Sequence, residues 1–406
     1  MVSPVGAASV LRARNVPDAR HGSCLSAMQR RTRREPEMAV RNKEGVLAVR
    51  PVVRPRGSWE HATQEMAAFL GVQPPEAHHV ILCHSDADGL AAGVLFCSAL
   101  QRAGRSRVSL QATGKGQSAW SLASLRQVAV THPQVLIVVD LGSRPQPLFP
   151  GVPTLLVDHH RPLGKPDAAT LISSYGWAPS PCTAALAYWL VAEMADVRDL
   201  DWIAAVGIVG DMGEHATIEP LPQARKRYGS RLIRETTALI NAARRSASGD
   251  ATPALRALLS ASEPADITRN RIPEAETLHA EREEFNAALS EAKRVAPTIT
   301  GNLALIRVRS PSQVHPVLAQ IWRSRLPEHI VMVVNEGYTP DRASFSLRTA
   351  LDVNLLDFLE PFRSSLDATE LGYGHDKATG GSLPCEDLKR FLATLGFTGY
   401  TAVKDS

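Results

Sequence analysis

From residue 79 onward the chain alternates short, unbroken apolar runs with longer stretches of helical spacing. The runs cover 79–84 (HVILCH), 108–112, 135–140 (VLIVVD) and 154–158 (TLLVD). Continuous rather than alternating hydrophobicity predicts strands covered on both faces, hence a parallel sheet with helices on each side. Ligands of such sheets bind beyond the carboxyl ends of the strands, so the polar residues closing each run become the candidates for chemistry. Upstream, Trp59, Met66, Phe69 and Leu70 recur at helical spacing and predict an entry helix over 58–70, broken by the Gly- and Pro-containing segment 71–75.

Downstream, 184–195 and 200–209 read as helices, the second running into Gly210-Asp211 where a helix hands over to a loop. Residues 272–295 form a charged amphipathic stretch with Leu278, Phe285 and Leu289 on one side, which predicts a connecting helix. A second α/β unit follows: strand 303–308, helix 314–325, strands 330–334 and 343–348, helix 354–359, a glycine-rich loop 372–381 and helix 386–395. The expected fold class is α/β, with a parallel-sheet N-terminal domain carrying helices on both faces, joined by a helical linker to a smaller α/β C-terminal domain. The boundaries implied are a basic, disordered lead over 1–57, a first domain over 58–268, a connecting helix over 269–298 and a second domain over 299–402.

A length of 406 residues exceeds one comfortable hydrophobic core, in keeping with two domains. Apolar content of 44% and charged content of 21% belong to a soluble globular chain. Cys24, Cys83, Cys97, Cys182 and Cys385 are scattered without CxxC pairs, which points away from zinc knuckles and disulfide frameworks and toward a reducing cytoplasm. Cys83 and Cys97 fall within apolar stretches and read as core packing.

The formal charge of +4 conceals an uneven distribution, because residues 1–56 hold twelve Arg or Lys and four Asp or Glu. The remaining body is therefore mildly acidic, about −4. Since long-strand binding is dominated by phosphate neutralisation, this favours short or single-stranded substrates over duplex DNA. The Arg-rich, acid-poor start resembles an organelle transit peptide, and Met28 or Met38 are alternative starts. The longest apolar candidate, 183–195, is short and carries Glu193, so no membrane span is expected.

The polar residues at the run ends form a series. His84, Asp86 and Asp88 follow the first run and face one spot if extended geometry continues. Asp140 ends the strongest run, Asp158-His159-His160 ends the next, and Asp211 follows a helix. An isolated Asp at a strand end is more often a helix cap worth about 1 kcal/mol, and a DxDG is a common Asx turn. Four such elements, each after a buried segment of one inferred sheet domain, make coincidence the poorer explanation. Mixed imidazole and carboxylate ligands without thiolate suit Mn²⁺ or a related divalent ion, with Mg²⁺ as the alternative. Two ions held about 3.5–4 Å apart can drive an in-line phosphoryl displacement.

His84-Ser-Asp-Ala-Asp-Gly, Val-Val-Asp140, Val-Asp158-His-His160 and Gly210-Asp211 resemble the four motifs of the DHH phosphoesterases, in the His-x-Asp-x-Asp-Gly form of archaeal-type RecJ-like exonucleases. The resemblance covers residues 80–211. It implies one metal held by His84, Asp86 and Asp140 and a second by Asp88, Asp140, His159 and Asp211, with Asp140 bridging. It further implies that His160 contacts the scissile phosphate and that Asp158 orients the histidines, as carboxylates behind metal-binding imidazoles do.

Near the C-terminus, Gly372-Tyr-Gly374-His375-Asp-Lys-Ala-Thr-Gly380-Gly381 resembles the GGGH-x-x-A-x-G loop of the DHH-associated C-terminal domain, with Tyr373 where that family often has glycine. Ser346-Leu347-Arg348 resembles its Ser-x-Arg element. The resemblance thus implies substrate binding by Arg348, Gly374, His375, Gly380 and Gly381. An Arg fork suits phosphate, and glycines let backbone amides approach an anion. A surface charge and a tight turn are the plain structural alternatives.

The expectation is a cytoplasmic two-metal hydrolase acting as an exonuclease on single-stranded DNA or RNA and releasing nucleoside monophosphates, with a homodimer allowed. The alternative is a nano-RNase or cyclic-dinucleotide phosphodiesterase, which shares both domains. A non-catalytic replication scaffold of the same fold should show gaps in its ligand set, and here every position is filled. A pyrophosphatase of this family would carry a basic Ser-Arg-Lys-Lys motif, which the sequence lacks.

Overall fold

The computed structural model describes residues 58–363 and 371–398, and the basic lead over 1–57 lies outside them. Five strands, β1 (His79–Cys83), β2 (Val108–Ala112), β3 (Val135–Val139), β4 (Thr154–Asp158) and β5 (Ala169–Ser173), form an all-parallel sheet in the order β2-β1-β3-β4-β5. Every residue of β1, β3 and β4 is buried. Successive side chains enter opposite cores: Ile81, Val139 and Val157 face one cluster, while Val80, Val138 and Leu156 face another. Two covered faces are what the unbroken apolar runs require.

Helix α1 (Ser58–Gly71) precedes the sheet, α2 (Ala87–Arg102) follows β1 and α3 (Leu122–Ala129) follows β2. After β5 come α4 (Thr183–Val191), α5 (Asp201–Met212), α6 (Leu221–Tyr228), α7 (Ser230–Arg245), α8 (Thr252–Ser260) and α9 (Pro264–Thr268). The buried Trp189 of α4 and Trp202 of α5 join α2 in the larger core. Cys83 and Cys97 are buried in that core, as expected.

Helix α10 (Pro273–Ala292) leads to a second, mixed sheet. Its strands are β6 (Thr298–Thr300), β7 (Leu303–Val308), β8 (Ile330–Thr339), β9 (Arg342–Thr349), β10 (Leu371–His375) and β11 (Ala378–Pro384), ordered β10-β11-β9-β8-β7-β6. Only β7 and β8 pair in parallel. Helix α11 (His315–Arg325) and α10 cover one face through Leu318, Phe285 and Leu289. The other face packs Phe345 and Leu347 against Leu359 of α12 (Leu355–Arg363) and Phe391 of α13 (Cys385–Thr394).

The glycine-rich segment 372–381, expected as a loop, is instead the β10–β11 hairpin. Its glycines serve close strand contact: a Cβ on Gly380 would collide with the backbone oxygen of Phe345 on β9. Among the described residues, no helix is long and apolar enough to cross a membrane.

Candidate metal centre and substrate cavity

The strand order reverses direction between β1 and β3, which makes the crevice at their carboxyl ends the natural binding position. His84 extends β1 by one residue, its N–H donating to Val139 O at 3.2 Å. Extended geometry then stops. Asp86 is the N-cap of α2, its Oδ1 accepting from Gly89 N at 3.1 Å, and Asp88 lies in the first helical turn. The three side chains therefore converge through a strand-to-helix turn rather than by alternation along a strand. Glycine at 89 is required for it, since a Cβ there would sit 2.5 Å from His84 Cβ.

Asp140 adopts a left-handed backbone, φ 62°, directly after β3. Asp tolerates this region better than most residues, and such strain concentrates at functional positions. Its carboxylate is buried and accepts a hydrogen bond from Thr183 Oγ1 at 2.8 Å. Asp140 Oδ2 lies 3.4 Å from His84 Nδ1, and Oδ1 lies 3.5 Å from His159 Nε2. Asp88, also buried, accepts from Thr183 N at 2.9 Å and Ala184 N at 2.8 Å, so the positive end of α4 holds it. His159 Nδ1 is 3.8 Å from Asp211 Oδ2, and Asp211 belongs to the last turn of α5 rather than to a loop.

Asp158 turns both oxygens to its neighbours. Oδ1 accepts from the backbone N–H of His160 at 2.5 Å and pairs with His160 Nδ1 at 2.9 Å, while Oδ2 accepts from Gly142 N at 2.6 Å. The His375 ring of β10 stacks on His160 at 5.2 Å and lies 5.1 Å from the His159 ring. The six residues expected as ligands are thus together, with His160 and His375 beside them.

Ligand atoms of His84, Asp86 and Asp140 lie within 4.8 Å of one another, as do those of Asp88, Asp140 and His159. Asp140 belongs to both groups. The donors are carboxylate oxygens and imidazole nitrogens, a set that fits hard-to-intermediate divalent cations. The electrostatics agree: burial, reinforced by the charges of Asp140 and Asp211, pushes the Asp88 carboxyl well above the usual carboxylate range. Burial likewise raises Asp140 and Asp211. Burial opposes charge on His84 and His160, yet Asp86 and Asp158 beside them hold the imidazoles up at about 9 and about 10. This cluster relieves its own repulsion with protons that a divalent cation would displace.

Four further contributors lie outside the expected set, and of these Arg244 and Asn241 carry no mark in the sequence pattern. Arg244 of α7 donates to Asp86 Oδ2 at 2.8 Å, and one helical turn earlier Asn241 accepts from Ala87 N at 3.2 Å. Thr183 binds Asp140, as described. Cys182 Sγ falls among the ligand atoms of Asp88 and Asp211, where burial and the two carboxylates keep it a thiol. The one available signal is the helix-start pattern of Cys182-Thr183 after Pro181.

The cluster opens into a cavity of about 790 Å³ walled by residues of both sheets. His84, Asp140 and His160 lie at one side, Gly374, Gly380 and Gly381 at another, and Asp357 and Glu360 of α12 also line it. Arg348 is not in this wall: its guanidinium donates to Leu347 O at 2.8 Å and Thr379 O at 3.3 Å, and burial lowers it to about 10.

No protein-family model matches the chain, and no curated protein matches it in sequence. Solved structures do. RecJ in complex with Mn²⁺ from Thermus thermophilus is 17% identical with a TM-score of 0.59, over 84% of this chain and 54% of that one, so the chain spans about half of its length. A DHH domain from a member of a family of ribosomal proteins is 15% identical with a TM-score of 0.60, over 84% of this chain and 92% of that one. CDC45 from Entamoeba histolytica is 10% identical with a TM-score of 0.53, over 82% of this chain and 98% of that one.

Proposed function

Since the chain has the α/β fold of RecJ and other DHH-domain structures, we propose that it is a metal-dependent phosphodiesterase that binds two divalent cations, Mn²⁺ or Mg²⁺, through His84, Asp86, Asp88, Asp140, His159 and Asp211. One observation carries this reading: Asp140 is common to two compact groups of ligand atoms on the wall of a substrate-sized cavity. When bound, the ions supply Lewis-acid polarisation of a phosphoryl oxygen and acidification of a water.

The chain's own residues do the rest. Asp158 fixes the His160 ring, leaving Nε2 to donate to a phosphate oxygen. Burial and the neighbouring His160 and His159 lower His375 to about 4, so it meets the substrate as a neutral imidazole. Gly374, Gly380 and Gly381 bring backbone to the facing wall beside Ser346 and Ser382, and substrate backbone lies against the β10–β11 hairpin. Arg348 supports that hairpin through Thr379 O and acts on substrate at one remove. Residues 58–268 and 299–402 are the two substrate-flanking domains in this reading.

The substrate is single-stranded DNA or RNA trimmed to nucleoside monophosphates. A second reading is cleavage of dinucleotides, since Asp357 and Glu360 line the cavity together with Arg144 and Arg161, so it is not the uniformly basic groove that tracks a long strand. Incubation with Mn²⁺ and a panel of dinucleotides, longer RNA and single-stranded DNA tests both. Progressive shortening of long strands supports the exonuclease, exclusive cleavage of dimers supports the second reading, and activity equal in wild type and Asp140→Ala defeats both.

A further inference from the structure

One wall of the cavity differs in character from the metal-ligand side. It comprises Gln117 and Ser118 from the loop after β2, Gln313, His315 and Pro316 at the start of α11, and Tyr338 near the end of β8. These segments are fastened to each other by Lys115, whose Nζ donates to Ala247 O and Pro311 O at 2.7 Å each and lies 4.7 Å from the centre of the Tyr338 ring. The ammonium is engaged by carbonyls and an aromatic face, and the six side chains named bear no formal charge.

His315 is 5% exposed, and its Nδ1 is a buried atom with no hydrogen-bond partner among the described residues. A buried polar atom left this way costs free energy unless something else completes the bond. The His315 and Tyr338 rings lie 5.4 Å apart at 59°. Burial first, then the charges of Arg244 and Arg348, lower the imidazole to about 3, so it presents one donor and one acceptor nitrogen. Gln117 is anchored at one end, its Oε1 accepting from Gly114 N at 3.2 Å and Ser124 Oγ at 3.3 Å.

Amide, hydroxyl and neutral imidazole groups beside the flat faces of Tyr338 and Pro316 suit an uncharged planar heterocycle with polar edges. The cations beside this wall are already engaged, Lys115 by two carbonyls and the Tyr338 ring and Arg244 by Asp86, so a phosphate gains little there, and an alkyl chain would leave the wall's polar atoms unpaired. Arg244 fixes the location. It binds Asp86, and its charge acts on both His315 and Tyr338, so the wall stands within one side chain of the metal-ligand cluster.

We propose that this wall is a nucleobase subsite, in which Gln313 and His315 hydrogen-bond the edge of a base whose phosphate lies toward the metal-ligand cluster around Asp140, with Tyr338 and Pro316 against its faces. The identity of the ligand rests on the phosphodiesterase reading; the recognition does not require turnover. Gln and His are suited to the paired donors and acceptors of a base edge.

Equilibrium binding tests it. The full chain with saturating Mn²⁺ is titrated calorimetrically with AMP, GMP, CMP, UMP and ribose 5-phosphate, which keeps sugar and phosphate and lacks the base. At least one nucleotide should bind tenfold or more tightly than ribose 5-phosphate, and Gln313→Leu and His315→Leu should each cut that ratio at least fivefold. Because His315 is buried, Gln313→Leu at its half-buried position serves as the arm independent of folding. Equal binding of nucleotides and ribose 5-phosphate, no binding of either, or a ratio that survives Gln313→Leu overturns the subsite. The catalytic reading fails separately, through a protein that binds nucleotides in a base-dependent way yet cleaves no member of the substrate panel.

Discussion

Arg244 Nη1 meets Asp86 Oδ2 at 2.8 Å, a contact between residues 158 positions apart that joins α7 to the N-cap of α2. The other carboxylate oxygen of Asp86 caps α2 through Gly89 N. One oxygen thus serves helix geometry and the other serves charge balance, with both partners mostly shielded from solvent.

Replacing the guanidinium removes that balance. Arg244→Met should cost the metal-free protein about 1.5–3 kcal/mol, the worth of a hydrogen bond to a charged group. Urea unfolding with and without Mn²⁺ measures it, and the deficit should shrink when the cation is present. An unchanged midpoint in metal-free buffer would rule out Arg244 as the charge partner.

Thr183 is predicted to tune the centre without being a ligand. Its hydroxyl fixes Asp140 Oδ1 inside the buried cluster, and losing such a partner typically costs about 10–100-fold in metal affinity. Thr183→Val should weaken Mn²⁺ binding by at least the lower figure in a calorimetric titration, and Thr183→Ser should restore it.

The proposed ligand set is legible in the sequence because its members end or begin buried elements: His84 after β1, Asp140 after β3, His159 after β4. Strand ends leave a local trace, an apolar run stopping at a polar residue. Arg244 leaves none and Thr183 only a helix-start signal, for they reach the centre through packing of α7 and α4 on α2, which no spacing along the chain encodes. Asp211 stands out in sequence but not its local structure, since α5 continues through Gly210 to Met212. The hairpin at 371–384 looks like a loop in sequence because glycines signal turns, whereas here they permit backbone contact between β11 and β9.

That contact can be tested directly. A methyl on Gly380 would collide with Phe345 O, an atom of a paired strand that cannot easily give way. Gly380→Ala should therefore destabilise the protein by about 1–3 kcal/mol, the usual penalty of overpacking. Gly71→Ala, at the end of α1 with open space around it, is the control. Thermal melting of the two variants should separate them clearly; matching melting temperatures would contradict the tight β9–β11 approach.

Acid sensitivity should trace in part to His315. Its folded value is lowered from 6.5 to about 3, so the unfolded chain takes up the proton first as acid is added. The stability this contributes is fully present above pH 6.5 and is lost progressively as pH falls toward 3. Urea midpoints recorded between about pH 6.5 and 4 should fall less steeply for His315→Leu than for wild type. Parallel slopes would assign the acid loss to other groups.

The residue-for-residue pairing of β1 with β3, from His79 opposite Val135 to Cys83 opposite Val139, acts as a ruler for the centre. His84 and Asp140 directly follow its last rung, so the ladder sets where the two backbones leave the sheet, and the left-handed turn at Asp140 then aims its carboxylate. Any lengthening of the turns that leaves this ladder intact preserves the spacing, while a slip by a single rung would turn one of the two away. Engineering of new specificity is therefore best confined to the outlying loops and the facing hairpin, with the central pair kept as the fixed gauge.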